Sequence, residues 1–150
     1  MTTDAPAATM SDEDLYREMR AIRAERARQA RADEARLRTR VTSDDVRQIR
    51  YRCSTTYVAF ALAARDSGRD LCEDRKDSLA RAAWSAAAFA VLGWSRFECL
   101  SARQLDRHCD AARIRRDART DAARHARVGQ DADYYRGTDA YRRQAECYRP

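Results

Sequence analysis

Five thiols and two imidazoles are the most reactive side chains in this sequence: Cys53, Cys72, Cys99, Cys109 and Cys147, with His108 and His125. A cysteine beside a histidine can serve as a nucleophile, and cysteine with histidine can hold zinc. The spacing favours neither chemistry. His108 and Cys109 are adjacent, so on a helix they point about 100° apart and serve one ion poorly. No CxxC pair occurs, and Cys53, Cys72 and Cys99 fall on separate stretches without finger spacing. The Glu-x-x-His motif of a di-iron bundle is missing, as is a glycine-flanked nucleophile turn. No two of the four glycines fit one phosphate-cradling loop. The expectation is a non-enzymatic protein without metal, cofactor or small-molecule substrate. Its cysteines read as buried structural thiols and His125 as a solvated residue. An odd cysteine count behind an N-terminus without a secretory pattern points to free thiols in a reducing cytoplasm.

Arginine offers a different chemistry. Arg17, Arg20, Arg28 and Arg31 stand at offsets 0, 3, 11 and 14, and Arg113, Arg116, Arg124 and Arg127 repeat them. On a helix such offsets stay within about a quarter of the circumference. Each set could present a ladder of guanidinium groups to phosphates or to an acidic protein face. The competing reading is plain solvated surface. Arginine appears twenty-nine times, lysine once (Lys76) and asparagine never, the signature of a GC-rich genome writing its cations as arginine. Twenty-four acids are interleaved with the thirty bases, so the net charge of +6 is spread along salt-bridged helices.

A second cluster mixes tyrosine with arginine near the C-terminus: Tyr134, Tyr135, Tyr141 and Tyr148 among Arg136, Arg142, Arg143 and Arg149. Tyr134, Tyr135, Tyr141 and Arg142 are candidate partner contacts, since both residue types are enriched at binding hot spots. The offset of seven from Tyr134 to Tyr141 to Tyr148 equally suits a terminal helix docking on a bundle. Trp84 and Trp94 lie in the most apolar stretch, where core packing is the simpler role and an exposed anchor the other.

These residues must be positioned by helices. Thirty alanines accompany the arginines, both strong helix formers, and Pro6 and Pro150 sit only at the ends. The β-branched and aromatic runs of a sheet are missing. The expected fold is all-α, a single-domain bundle of four to five helices. Residues 1–10 form a disordered tail. A long charged helix spans 11–41, capped by Ser11 with Asp14, with Leu15, Met19 and Ile22 in an apolar stripe that Leu37 and Val41 resume. Its Glu13–Arg17 and Glu34–Arg38 pairs stand four apart.

Residues 42–129 supply the helical core. Thr42 or Ser43 caps a helix that buries Val46, Ile49, Cys53, Tyr57, Phe60 and Ala64 and stops at Ser67-Gly68. The next helix runs to about Leu100, with Leu79, Ala83, Ala86, Ala90, Gly93 and Phe97 on a closely packed face. Its thirteen-residue apolar run, Ala82 to Trp94, is too short for a bilayer. Ser101 with Gln104 opens a fourth helix, which carries Leu105, Cys109 and Ala112 inward and reaches Gly129. Residues 130–150 form a terminal segment broken at Gly137.

The function that fits is binding. An anionic partner surface, nucleic acid or a nucleoprotein complex, would meet the arginine-rich helix faces. The alternatives are a protein-binding adaptor or inhibitor, of the kind phages and plasmids direct at host nucleic-acid machinery, and a structural homodimer.

Overall fold

A computed structural model describes residues 9–150, except the side chain of Leu37. The tail expected over residues 1–10 lies, up to residue 8, outside the described residues. The fold is all-α: no strand occurs among the described residues. Among the described residues eight helices form instead of four or five. They are α1 (Asp12–Arg38), α2 (Ser43–Asp66), α3 (Glu73–Leu92), α4 (Trp94–Phe97), α5 (Ala102–Asp106), α6 (Ala111–Arg127), α7 (Ala132–Arg136) and α8 (Asp139–Cys147). Where the sequence suggested one domain from residue 11, the chain divides into two compact units, one ending at Arg38 and one spanning Thr39–Pro150.

The first unit is α1. Ser11 accepts from the Asp14 N–H at 3.2 Å, and its hydroxyl donates to the Asp14 carboxylate at 2.8 Å. Acids fill its first turn and Arg36 and Arg38 its last, which complements the helix dipole. Arg38 pairs with Glu34 at 2.8 Å, whereas Arg17 reaches Asp14 at 3.6 Å, not Glu13. Leu15, Met19 and Ile22 are exposed. The helix ends at Arg38, so Val41 does not extend its stripe; it belongs to the second unit, half-buried against that unit's core.

The second unit begins with a reciprocal cap. Thr42 Oγ1 accepts from the Asp45 N–H at 3.1 Å, and the Thr42 N–H donates to the Asp45 carboxylate at 2.9 Å. Asp45 also receives Arg96 of α4 at 2.6 Å, and the same guanidinium donates to the Arg40 carbonyl at 3.0 Å. This pair ties the start of α2 to a helix about fifty residues later. The Arg96 hydrogen bonds hold the Asp45 carboxyl below its ordinary range, against the opposing effect of burial.

Val46, Ile49, Cys53, Tyr57, Phe60 and Ala64 recur every three or four residues, and all are buried. They meet Leu79, Ala80, Ala83, Trp84, Ala87, Ala88 and Leu92 of α3. So many alanines let α2 and α3 approach closely. Ile114 and Ala118 of α6 close the core. Trp84 is only 2% exposed, and its indole N–H donates to the Leu105 carbonyl at 2.8 Å. That bond satisfies the buried polar atom and fastens α5 to the core.

Three expectations are corrected here. The central helix stops at Leu92 rather than near Leu100, because Gly93 takes φ +77°, a conformation that suits glycine. Gly93 is therefore a terminator, with open space where a Cβ would stand. Ala86 and Ala90 are exposed, not packed, since α2 and α6 cover only the opposite side of α3. The expected fourth helix is two: Ser101 and Gln104 form the capping box of α5, and Asp110 caps a new start at α6. That shift turns Ala112 outward and Ile114 inward.

The terminal segment docks on α2. Asp66 accepts from Arg136 at 2.9 Å and 3.2 Å and from the Tyr141 hydroxyl at 2.6 Å. These donors pull the Asp66 carboxyl down to about 2. Arg69 lies over the Tyr148 ring, 5.3 Å from its centroid.

Candidate anion-binding groove

Beside its buried stripe, α2 carries Arg47, Arg50, Tyr51 and the buried Ser54 at helical spacing. From α6, Arg113, Asp117, Thr120 and Arg124 form a facing line. Between them runs a shallow trough of about 490 Å³. Trp84, Cys53 and Ile114 lie beneath it, where Arg50 and Arg113 come together. The buried packing of α2 on α6 thus brings four arginines into one concavity.

A second cleft of about 500 Å³ adjoins this trough and shares Tyr51 and Arg124 with it. Phe60, Ala86, Ala87 and Ala90 give it apolar surface, and Arg52 and Arg143 add two cations. Across both clefts six arginines face three aspartates, Asp117, Asp121 and Asp139. Asp121 is buried and committed: it accepts from Thr55 Oγ1 at 3.2 Å and the Tyr135 hydroxyl at 2.9 Å. Asp117 reaches Arg113 at only 3.8 Å, and Arg47 pairs with Asp44. Arg50, Arg52 and Arg143 form no ion pair among the described residues. Like charges gathered in a concave site focus a positive potential.

The aromatic groups around the groove differ in freedom. Tyr51 is 77% exposed. Tyr134 stacks on His125, ring centroids 4.2 Å apart, and remains 39% exposed. His125 is not the solvated residue expected: its Nδ1 is 2.9 Å from Gln130 Oε1 and its Nε2 3.7 Å from Asp121. Tyr135 is buried against Asp121, and burial with that hydrogen bond raises its phenol above the ordinary range. Tyr135 and Tyr141 are thus both held by hydrogen bonds within the chain, to Asp121 and Asp66. Arg142 pairs with Asp139, whereas its neighbour Arg143 lines the cleft.

Of the fourth-helix stripe, Arg113 and Arg124 reach the groove, while Arg116 and Arg127 are exposed but line neither cleft. Arg17, Arg20, Arg28 and Arg31 are all exposed on α1, where Arg28 pairs with Glu25 at 2.5 Å. Sequence reasoning missed Arg47, Arg50, Tyr51, Arg52 and Arg143. The spacing 47, 50, 51, 54 was a usable signal, a largely polar helical face flanking an apolar one.

The thiols are more varied than expected. Cys53 is buried, and burial pushes it up to about 12. Cys109 is half-buried and also raised by burial, but Cys72, Cys99 and Cys147 are exposed rather than structural. No cluster of three potential metal ligands occurs among the described residues. No helix among them is long and apolar enough to cross a membrane. Comparison with family models, curated proteins and solved structures finds no match.

One apolar feature stands apart. Trp94, 64% exposed, packs edge-on against Phe89, which meets Phe97 in the same way at 5.3 Å.

Proposed function

We propose that this protein is a non-enzymatic helical binding module that engages an anionic partner, nucleic acid foremost, through the groove between α2 and α6. The observation that carries the reading is the convergence of Arg47, Arg50, Arg113 and Arg124 on one trough, where Arg50 forms no ion pair among the described residues and the other three pair only with Asp44, Asp117 and Asp121 of their own helices. Guanidinium groups fork onto phosphate oxygens, and bringing cations together costs repulsion that an anionic ligand relieves. Backbone phosphates would supply the affinity, with strong salt dependence.

A protein-binding adaptor or inhibitor is the second reading, favoured by the exposed Trp94 and Phe89 beside the half-buried Phe97. A tryptophan with an unpaired indole face is a common interface anchor. A pull-down from the native host, with and without nuclease, separates the two. Loss of all partners after nuclease, and in the Arg50→Gln/Arg113→Gln variant, is the expected result. Partners that survive both treatments but leave with Trp94→Ala would replace the first reading with the second.

A further inference from the structure

Resting on the nucleic-acid reading of the groove, we infer that its ligand is a single strand with unstacked bases rather than a duplex. The two clefts alternate chemistry along one path. Arg47, Arg50 and Arg113 line the first, Tyr51 and Arg124 stand where the clefts meet, and the second opens onto Tyr134 and the alanines of α3.

A single strand presents both of the surfaces this path requires. Its phosphates are free to follow the arginines, and its bases can turn to stack on rings or lie on apolar surface. In a duplex the base faces are hidden, and the exposed Tyr51 ring and the apolar cleft would have nothing to take. Duplex reading also calls for a helix or ribbon projecting into a groove. Here the arginines line a shallow trough between α2 and α6 instead of a projecting element. Tyr51 is three-quarters exposed, and its ring makes no stacking contact among the described residues. Tyr134 stacks on His125 and meets Tyr135 at a steep angle 5.2 Å away, and its remaining 39% exposure is what a base could reach. Ala86, Ala87 and Ala90 add apolar surface to a cleft that also carries Thr55, Thr56, Thr138 and Asp139.

Fluorescence anisotropy on the full chain tests this, using a labelled mixed-sequence oligonucleotide of about 12 nucleotides as single-stranded RNA, as single-stranded DNA and as the DNA duplex. One or both single strands should bind at least about tenfold more tightly than the duplex. The Tyr51→Ala variant should lose about tenfold on the single strand and little on the duplex, while Tyr51→Phe retains binding. Because Tyr51 is exposed, its replacement leaves the core intact, which circular dichroism verifies. Equal or tighter duplex binding, or single-strand affinity indifferent to Tyr51→Ala, overturns the single-strand inference and leaves the anionic groove standing. Absence of binding to every oligonucleotide at low salt overturns both.

Discussion

Arg17, Arg20, Arg28 and Arg31 on α1 and Arg113, Arg116, Arg124 and Arg127 on α6 share one spacing, yet they occupy different surroundings. On α1 the arginines alternate with acids of the same helix, and Arg17 and Arg28 pair with carboxylates three residues away. Such exposed local pairs contribute little to stability and hold the charge in solvent. On α6 Arg113 and Arg124 also pair locally, with Asp117 and Asp121, but these two turn toward α2 and face Arg47 and Arg50 across a trough. Spacing along one helix makes a stripe, and a second helix makes it a site.

Disrupting the support of the groove should have the largest effect. Trp84 lies beneath Arg50 and Arg113, and replacing it with alanine removes a buried indole and its bond to Leu105. Trp84→Ala should lose about 3–5 kcal/mol in denaturant unfolding. Oligonucleotide affinity should fall with it, although no arginine has changed. A loss below about 1 kcal/mol would mean that the groove does not depend on this core.

Cutting the Arg96–Asp45 tie should cost less. Arg96→Met leaves Asp45 at the start of α2 without its strongest partner, a loss of about 2 kcal/mol. The pH dependence gives a second reading. Asp45 is depressed in the folded chain, so its contribution is complete above the ordinary carboxylate value near 4 and lost as pH falls through the folded value. The difference in Tm between wild type and Arg96→Met should accordingly hold from about pH 7 to pH 5 and shrink as pH falls below about 4. A difference that does not shrink on acidification would assign the effect to the Arg96 stem rather than to the ion pair.

Much of this framework is written in local residue order. Thr42 with Asp45, Ser101 with Gln104, and the stop at Gly68 are short-range signals, and the buried face from Val46 to Ala64 is a clean helical period. Gly93 was harder: within an apolar run it reads as a packing residue, and only its positive φ shows that it ends a helix. No glycine or proline marks the interruption before Asp110, so the frame that turns Ile114 inward was hidden. The groove depends on which side of α6 faces α2, a tertiary choice set by Ile114 and Ala118. For that reason the α6 arginines were half found, and Arg47, Arg50 and Tyr51 were missed despite their spacing.

The direct test compares two fourfold arginine-to-glutamine variants, one at Arg47, Arg50, Arg113 and Arg124, the other at Arg17, Arg20, Arg28 and Arg31. Glutamine has a helix propensity close to that of arginine, so both should retain wild-type helicity. The quantity to measure is the slope of log affinity for a single-stranded oligonucleotide against log salt concentration. The groove variant should lose affinity and flatten the slope by about 0.7 for each phosphate contact removed, up to four contacts. The α1 variant should keep a slope close to that of wild type. A flattened slope in the α1 variant with an unchanged one in the groove variant would contradict the account.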